Sequence, residues 1–149
     1  MNKDDYFALS ERLFLELRPD ERLFCTLDGE HSDFVRLNAN RIRQAGVVRS
    51  RSLSLDLIQG QRQAQAVCNL SGSPDTDLAR ARDLLGLLRE RLPHVPEDPY
   101  LSFSKAPAES DRRMAGNLPE GPDAVAELIA AAEGLDLVGI WASGELVSG

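Results

Sequence analysis

The chain has 149 residues, 42% of them hydrophobic and 28% charged, with a formal net charge of −7. That is enough for one domain with a real core, while the acidic balance argues against nucleic acid as a general partner. No apolar run approaches the roughly 20 residues of a membrane span, and MNKDDYFALSERL has neither the basic start nor the apolar stretch of a secretory signal, so a cytoplasmic protein with no membrane partner is expected.

In chain order, residues 5–18 place Tyr6, Leu9, Leu13 and Leu17 at helical spacing. Pro19 and Asp20 stop that helix. The period then changes to two. Leu23, Cys25 and Leu27 alternate with Phe24 and Thr26, and Asp28-Gly29 carries a hairpin signal. A second strand follows, with Val35, Leu37 and Ala39 on one face and Phe34, Arg36, Asn38 and Asn40 on the other. Gly46 marks a turn or bulge. A long strand then points Leu53, Leu55 and Leu57 inward, and after Gly60 a returning strand points Ala64, Ala66, Cys68 and Leu70 inward. The pattern predicts a four-stranded antiparallel meander with one buried face.

The segment from Ser73 to Pro93 is the clearest helix. Ser73 suits the N-cap and Pro74 the first turn. Asp75 and Asp77 favour the positive end of the helix dipole, and Leu78, Ala81, Leu85, Leu88 and Leu92 form the inward stripe. Gly86 either weakens this helix or lets it pack closely. From Pro93 to Pro122 the chain carries six of its eight prolines and reads as an extended strap. A third helix spans Pro122 to Gly134, with Val125, Leu128, Ile129 and Ala132 inward. LDLVGIWASGELVSG then reads as a strand pair around Ser143-Gly144, and its apolar end suggests a cut inside a larger protein. The expected fold class is α+β: a curved antiparallel sheet of four to five strands with two or three helices packed on one face. Residues 1–149 form a single domain, divided into a helix–meander–helix part (1–92), a Pro-rich strap (93–121) and a closing helix and strand pair (122–149).

Chemistry is hard to place on this chain. Cys25 and Cys68 fall among apolar strand residues and read as buried free thiols. His31 and His94 have no second ligand at metal-binding spacing, so no metal site is expected here. No nucleophile and base pair up, and SGSP lacks the lysine and spacing of a phosphate loop. The strong feature is Val35–Leu55, with five arginines and no acid; 12 basic and 24 acidic residues lie elsewhere, a balance of −12 against +5. Arg36, Asn38, Asn40, Arg41 and Arg43 are the candidate residues for contact with a peptide or partner. Arginine and asparagine on a strand hydrogen-bond extended peptide well, although solvated arginines on an outer face give the same pattern.

The order of these motifs resembles the N-terminal part of the TldD/PmbA, or modulator-of-gyrase, family. The pieces that carry the resemblance are Arg36 with Asn40 and Ile42, the PEDPY run at Pro96–Tyr100, and GIWASG from Gly139 to Gly144. The resemblance implies an N-terminal α/β domain joined to a larger β-rich C-terminal domain. It also implies a parent protein that is a dimeric zinc metallopeptidase acting on unfolded or leader-type peptides, as a homodimer or with a sister subunit. The family's zinc motif, H-E-x-x-x-H, is absent from this sequence, so the resemblance assigns no catalytic residue and no cofactor to this chain and puts zinc in the C-terminal part of a metal-bearing parent. The resulting expectation is a non-catalytic domain that contributes to a peptide cleft, a dimer interface and contact with its own C-terminal domain. The alternatives are a free-standing interaction module that uses the arginine-rich sheet face, and a nucleic-acid-associated binding domain.

Overall fold

Each switch of hydrophobic period along the chain corresponds to a change of element in the computed structural model, which describes residues 3–149. Among these residues the elements are α1 (Lys3–Phe14), β1 (Glu21–Asn38), β2 (Arg41–Gln59), β3 (Arg62–Asn69), α2 (Pro74–Arg91), one 3-10 turn (Leu92–His94), α3 (Gly121–Ala131) and β4 (Gly139–Ser148). The strands form one open antiparallel sheet in the order β3-β2-β1-β4, so the α+β class holds. The chain divides into two compact units. The first comprises residues up to Gly29, Ser50–Lys105 and Val147–Gly149; the second comprises Glu30–Arg49 and Ala106–Leu146.

The first unit is built on leucine. Leu53, Leu55 and Leu57 of β2 are fully buried, with Leu23 and Leu27 of β1 beside them. Tyr6, Leu9 and Leu13 of α1 and Leu78, Ala81, Leu85 and Leu88 of α2 close over the same face, followed by Leu92. Each leucine taken out of water contributes roughly 2 kcal/mol. The β2–β3 register runs from Ser52 opposite Asn69 to Gln59 opposite Arg62. That keeps Ala64, Ala66 and Cys68 against the core, and burial pushes the Cys25 thiol up to about 11. The outer face is polar and paired across strands, with Gln65 donating to Ser54 at 2.9 Å and Gln63 to Asp56.

Two ionic clamps hold this unit. Glu21, 3% exposed, accepts hydrogen bonds from Nη2 and Nε of Arg89 at 2.7 and 2.8 Å and from the Arg18 amide at 2.9 Å. It thereby ties the segment after α1 to the last turn of α2. The Arg89 hydrogen bond holds the Glu21 carboxyl below its usual value, against the opposing effect of burial. A carboxyl lowered on folding contributes stability that is present above its unfolded pKa and lost as pH falls through the folded one. Glu21→Gln is therefore expected to flatten the decline of the melting temperature below about pH 4.3, and thermal melts of the two proteins across that range would measure it. In the second clamp, Arg62 donates to the carbonyls of Pro93 and Val95 and to Glu97, while the Asp98 amide donates to the Gln61 carbonyl at 2.8 Å. Phe103 then meets Phe24 edge-on, with ring centroids 5.8 Å apart. The strap as far as Lys105 is thus fastened to its own unit, and residues 106–120 form no regular element.

In the second unit the β1–β2 reversal falls at Ala39-Asn40, both left-handed with φ of 49° and 58°. Two successive left-handed residues match a two-residue hairpin turn of the kind that suits the twist of antiparallel strands. α3 buries Ala124 and Val125, Ala132 is buried just beyond it, and Leu37 is buried on β1. A Cβ at Gly121 would lie 3.1 Å from the Trp141 ring, so the start of α3 rests on the tryptophan of β4.

Several sequence expectations are corrected. Asp28-Gly29 is not a turn. β1 runs straight through it because Leu27 and Gly149 exchange both backbone hydrogen bonds, at 2.6 and 2.9 Å, and Ser148 donates to Asp28. Gly46 neither turns nor interrupts β2; it seats the Phe34 ring, whose Cε1 would lie 2.8 Å from a Cβ there. The closing segment is one strand, not a pair. α1 ends at Phe14, four residues early, although Leu17 still packs on the core. A Cβ at Gly86 would meet nothing within 4 Å, so that glycine weakens α2 with no packing return. Leu128 of α3 is 41% exposed rather than inward.

Candidate functional site

The turn at Ala39-Asn40 decides what the arginine stretch becomes. By folding β1 back onto β2 it sets Arg36 and Asn38 beside Arg43. Val138, just before β4, and Gly139 and Ile140 at its start join them. Together with Leu37 and Gln44 these line an open groove of about 520 Å³ in the second unit. Leu37 is buried while its strand neighbours Arg36 and Asn38 are exposed, so strand alternation puts these two side chains on the face away from the small core. Val138 and Ile140, 66% and 64% exposed, supply an apolar ledge next to the basic stripe. Sequence reasoning missed both, since nothing local links them to residues a hundred positions earlier; the alternation in LDLVGIW was the available signal.

The other candidates divide. Arg41 is exposed at the tip of the hairpin, outside the groove lining. Asn40 is already engaged. Its side-chain amide donates to the Ala132 carbonyl at 2.8 Å, its side-chain oxygen accepts the Leu137 amide at 2.7 Å, and its backbone amide donates to the Leu137 carbonyl at 3.3 Å. Asn40 therefore clamps the end of α3 and the approach to β4 onto the hairpin. Asn40→Gly keeps the left-handed turn and removes the side-chain clamp, whereas Asn40→Ala also strains the turn. The alanine variant is expected to be the less stable of the two by about 1 kcal/mol, with both below wild type in urea denaturation. Further along the stretch, Arg49 donates to His31 Nε2 at 3.2 Å. Among the described residues, none of Arg36, Arg41 and Arg43 has an acidic side chain at ion-pair distance.

Among the described residues, no three His, Cys, Asp or Glu side chains come together as ligands. No described helix is long and apolar enough to cross a membrane. The groove offers cationic donors, an amide and an aliphatic ledge on a sheet whose outermost strand on that side is β4.

Fold and groove define an α+β domain with an open antiparallel sheet and a basic outer face. No family model matches the chain, and no curated protein matches it. Among solved structures it is similar to a candidate modulator of a DNA gyrase from Thermotoga maritima MSB8, with 9% identity and a TM-score of 0.49. The match covers 98% of this chain and 36% of the other, so the chain spans about a third of that protein's length.

Proposed function

We propose that this chain is a non-catalytic binding domain that holds an extended peptide along β4 and the adjoining groove. In the TldD/PmbA-like setting that the motifs suggest, a further part of the protein would supply zinc and hydrolysis, and a second subunit would complete a dimer. The observation that carries the reading is the convergence of Arg36, Asn38 and Arg43 with exposed Val138 and Ile140 beside an edge strand. An edge strand offers unpaired backbone groups to an incoming chain and reads little of its sequence. The side chains of an added strand that point to the outer face would overhang β4 and meet the groove.

The test is fluorescence anisotropy with a labelled, neutral, valine-containing Ser/Gly peptide and its copy methylated at alternate backbone nitrogens. The unmethylated peptide is expected to bind and the methylated one to lose binding, since methylation removes the donors needed for strand pairing. A metal chelator should leave binding unchanged. Equal affinity for the two peptides, or no binding of either, would contradict the reading.

A further inference from the structure

We infer that the groove selects acidic extended segments, with a carboxylate over Arg36, the charge of Arg43 behind it, and an aliphatic residue on the Val138–Ile140 ledge. This rests on the peptide-binding reading above and goes on to name the class of peptide.

Three observations support it. First, Arg36 and Arg43 have no acidic partner among the described residues, so their guanidinium donors are available to a ligand; other arginines are committed, Arg89 to Glu21, Arg82 to Glu16 and Arg62 to the strap. Second, the groove is lined by no acidic side chain, although the chain carries 24. At physiological ionic strength charges beyond about 8 Å are screened, so an approaching carboxylate responds to the arginines rather than to the net charge of −7. Third, the spacing suits a strand. Arg36 and Asn38 on β1 are two residues apart, as are Val138, just before β4, and Ile140 within it, which is the period of side chains on one face of an extended ligand. A strand added beyond β4 runs two strand spacings, roughly 10 Å, from Arg36, a gap that an arginine and a glutamate side chain span together.

A single-stranded nucleic acid fits less well. Val138 and Ile140 offer no aromatic platform, and the lining contains none, whereas strand-tracking sites combine basic grooves with aromatic stacking.

The experiment compares labelled Ser/Gly peptides whose central alternate positions carry Glu with Val, Gln with Val, or Lys with Val, and adds a poly-dT oligonucleotide. The Glu–Val peptide is expected to bind about tenfold tighter than the Gln–Val peptide, about 1.4 kcal/mol, with Lys–Val weakest. Arg36→Glu combined with Arg43→Glu should reverse that order. Both positions are exposed, and an unchanged thermal melt would confirm an intact fold. Equal binding of the Glu and Gln peptides would overturn this inference and leave the peptide-binding reading standing, whereas failure of every peptide would overturn both. Tighter binding of poly-dT than of the Glu–Val peptide, or dimerisation of the chain through the groove that the charge reversal abolishes, would assign the arginines to another occupant and also overturn it.

Discussion

Asp77→Ala is expected to destabilise the protein by about 3 kcal/mol, lowering the melting temperature by roughly 6–12 °C. Asp77 lies in the first turns of α2 with no exposed surface. One carboxylate oxygen accepts the Ser71 amide at 2.7 Å and the Ser71 hydroxyl at 2.8 Å; the other accepts the Gly72 amide at 2.8 Å. Ser73, which the sequence offers as the N-cap, makes no side-chain cap bond. The carboxylate therefore orders the entry to the helix, and removing it leaves two backbone donors without a partner. Asp77→Asn should recover little, because its amide nitrogen would face one of those N–H groups. Burial alone would raise the Asp77 carboxyl, but the hydrogen bonds from Ser71 and Gly72 outweigh it and hold it below the usual value. Its contribution is thus present at neutral pH and lost as pH falls through that lowered value. The wild-type melting temperature should fall more steeply below about pH 3.9 than that of Asp77→Ala.

Gly144→Ala is the second large effect. A Cβ there would lie 2.5 Å from Ser32 Cβ and closer still to the His31 carbonyl and Ser32 Cα. Two of these neighbours are backbone atoms, so relief requires β4 or β1 to move. Overpacking of this kind typically costs about 1–3 kcal/mol, and the upper end is expected because no flexible side-chain tip can yield. Hydrogen exchange should show the loss first at Gly139–Leu146 and Glu30–Asn38. Unchanged protection in both stretches would mean that the strands have room to part, contrary to the close approach described.

The same glycine illustrates what the sequence could tell. Gly next to Ser143 reads locally as a turn, and only the position of Ser32 on another strand reveals a close crossing. Asp28-Gly29 misleads in the same way: its turn preference is real, but paired hydrogen bonds with Gly149 hold it extended. The actual reversal uses Ala39, a poor left-handed residue, and the bonds of Asn40 to Ala132 and Leu137 offset that cost. By contrast, Leu53, Leu55 and Leu57 and the stripe of α2 were legible because burial period and element period coincide over long runs. Of the candidate site, Arg36, Asn38 and Arg43 were visible as residue types. Their convergence was not, since it depends on where the hairpin turns and on a strand a hundred residues away.

The outer face of the hairpin and β4 is the proposed place for a peptide to dock. Titrating the isotope-labelled protein with the Glu–Val peptide and following backbone amide resonances tests this most directly. Shifts are expected to concentrate in residues 36–44 and 138–142, in fast or intermediate exchange and with saturation. Shifts centred instead on Phe24, Ile58 and Phe103 of the first unit, or spread evenly over all acidic and basic surfaces, would contradict this docking place.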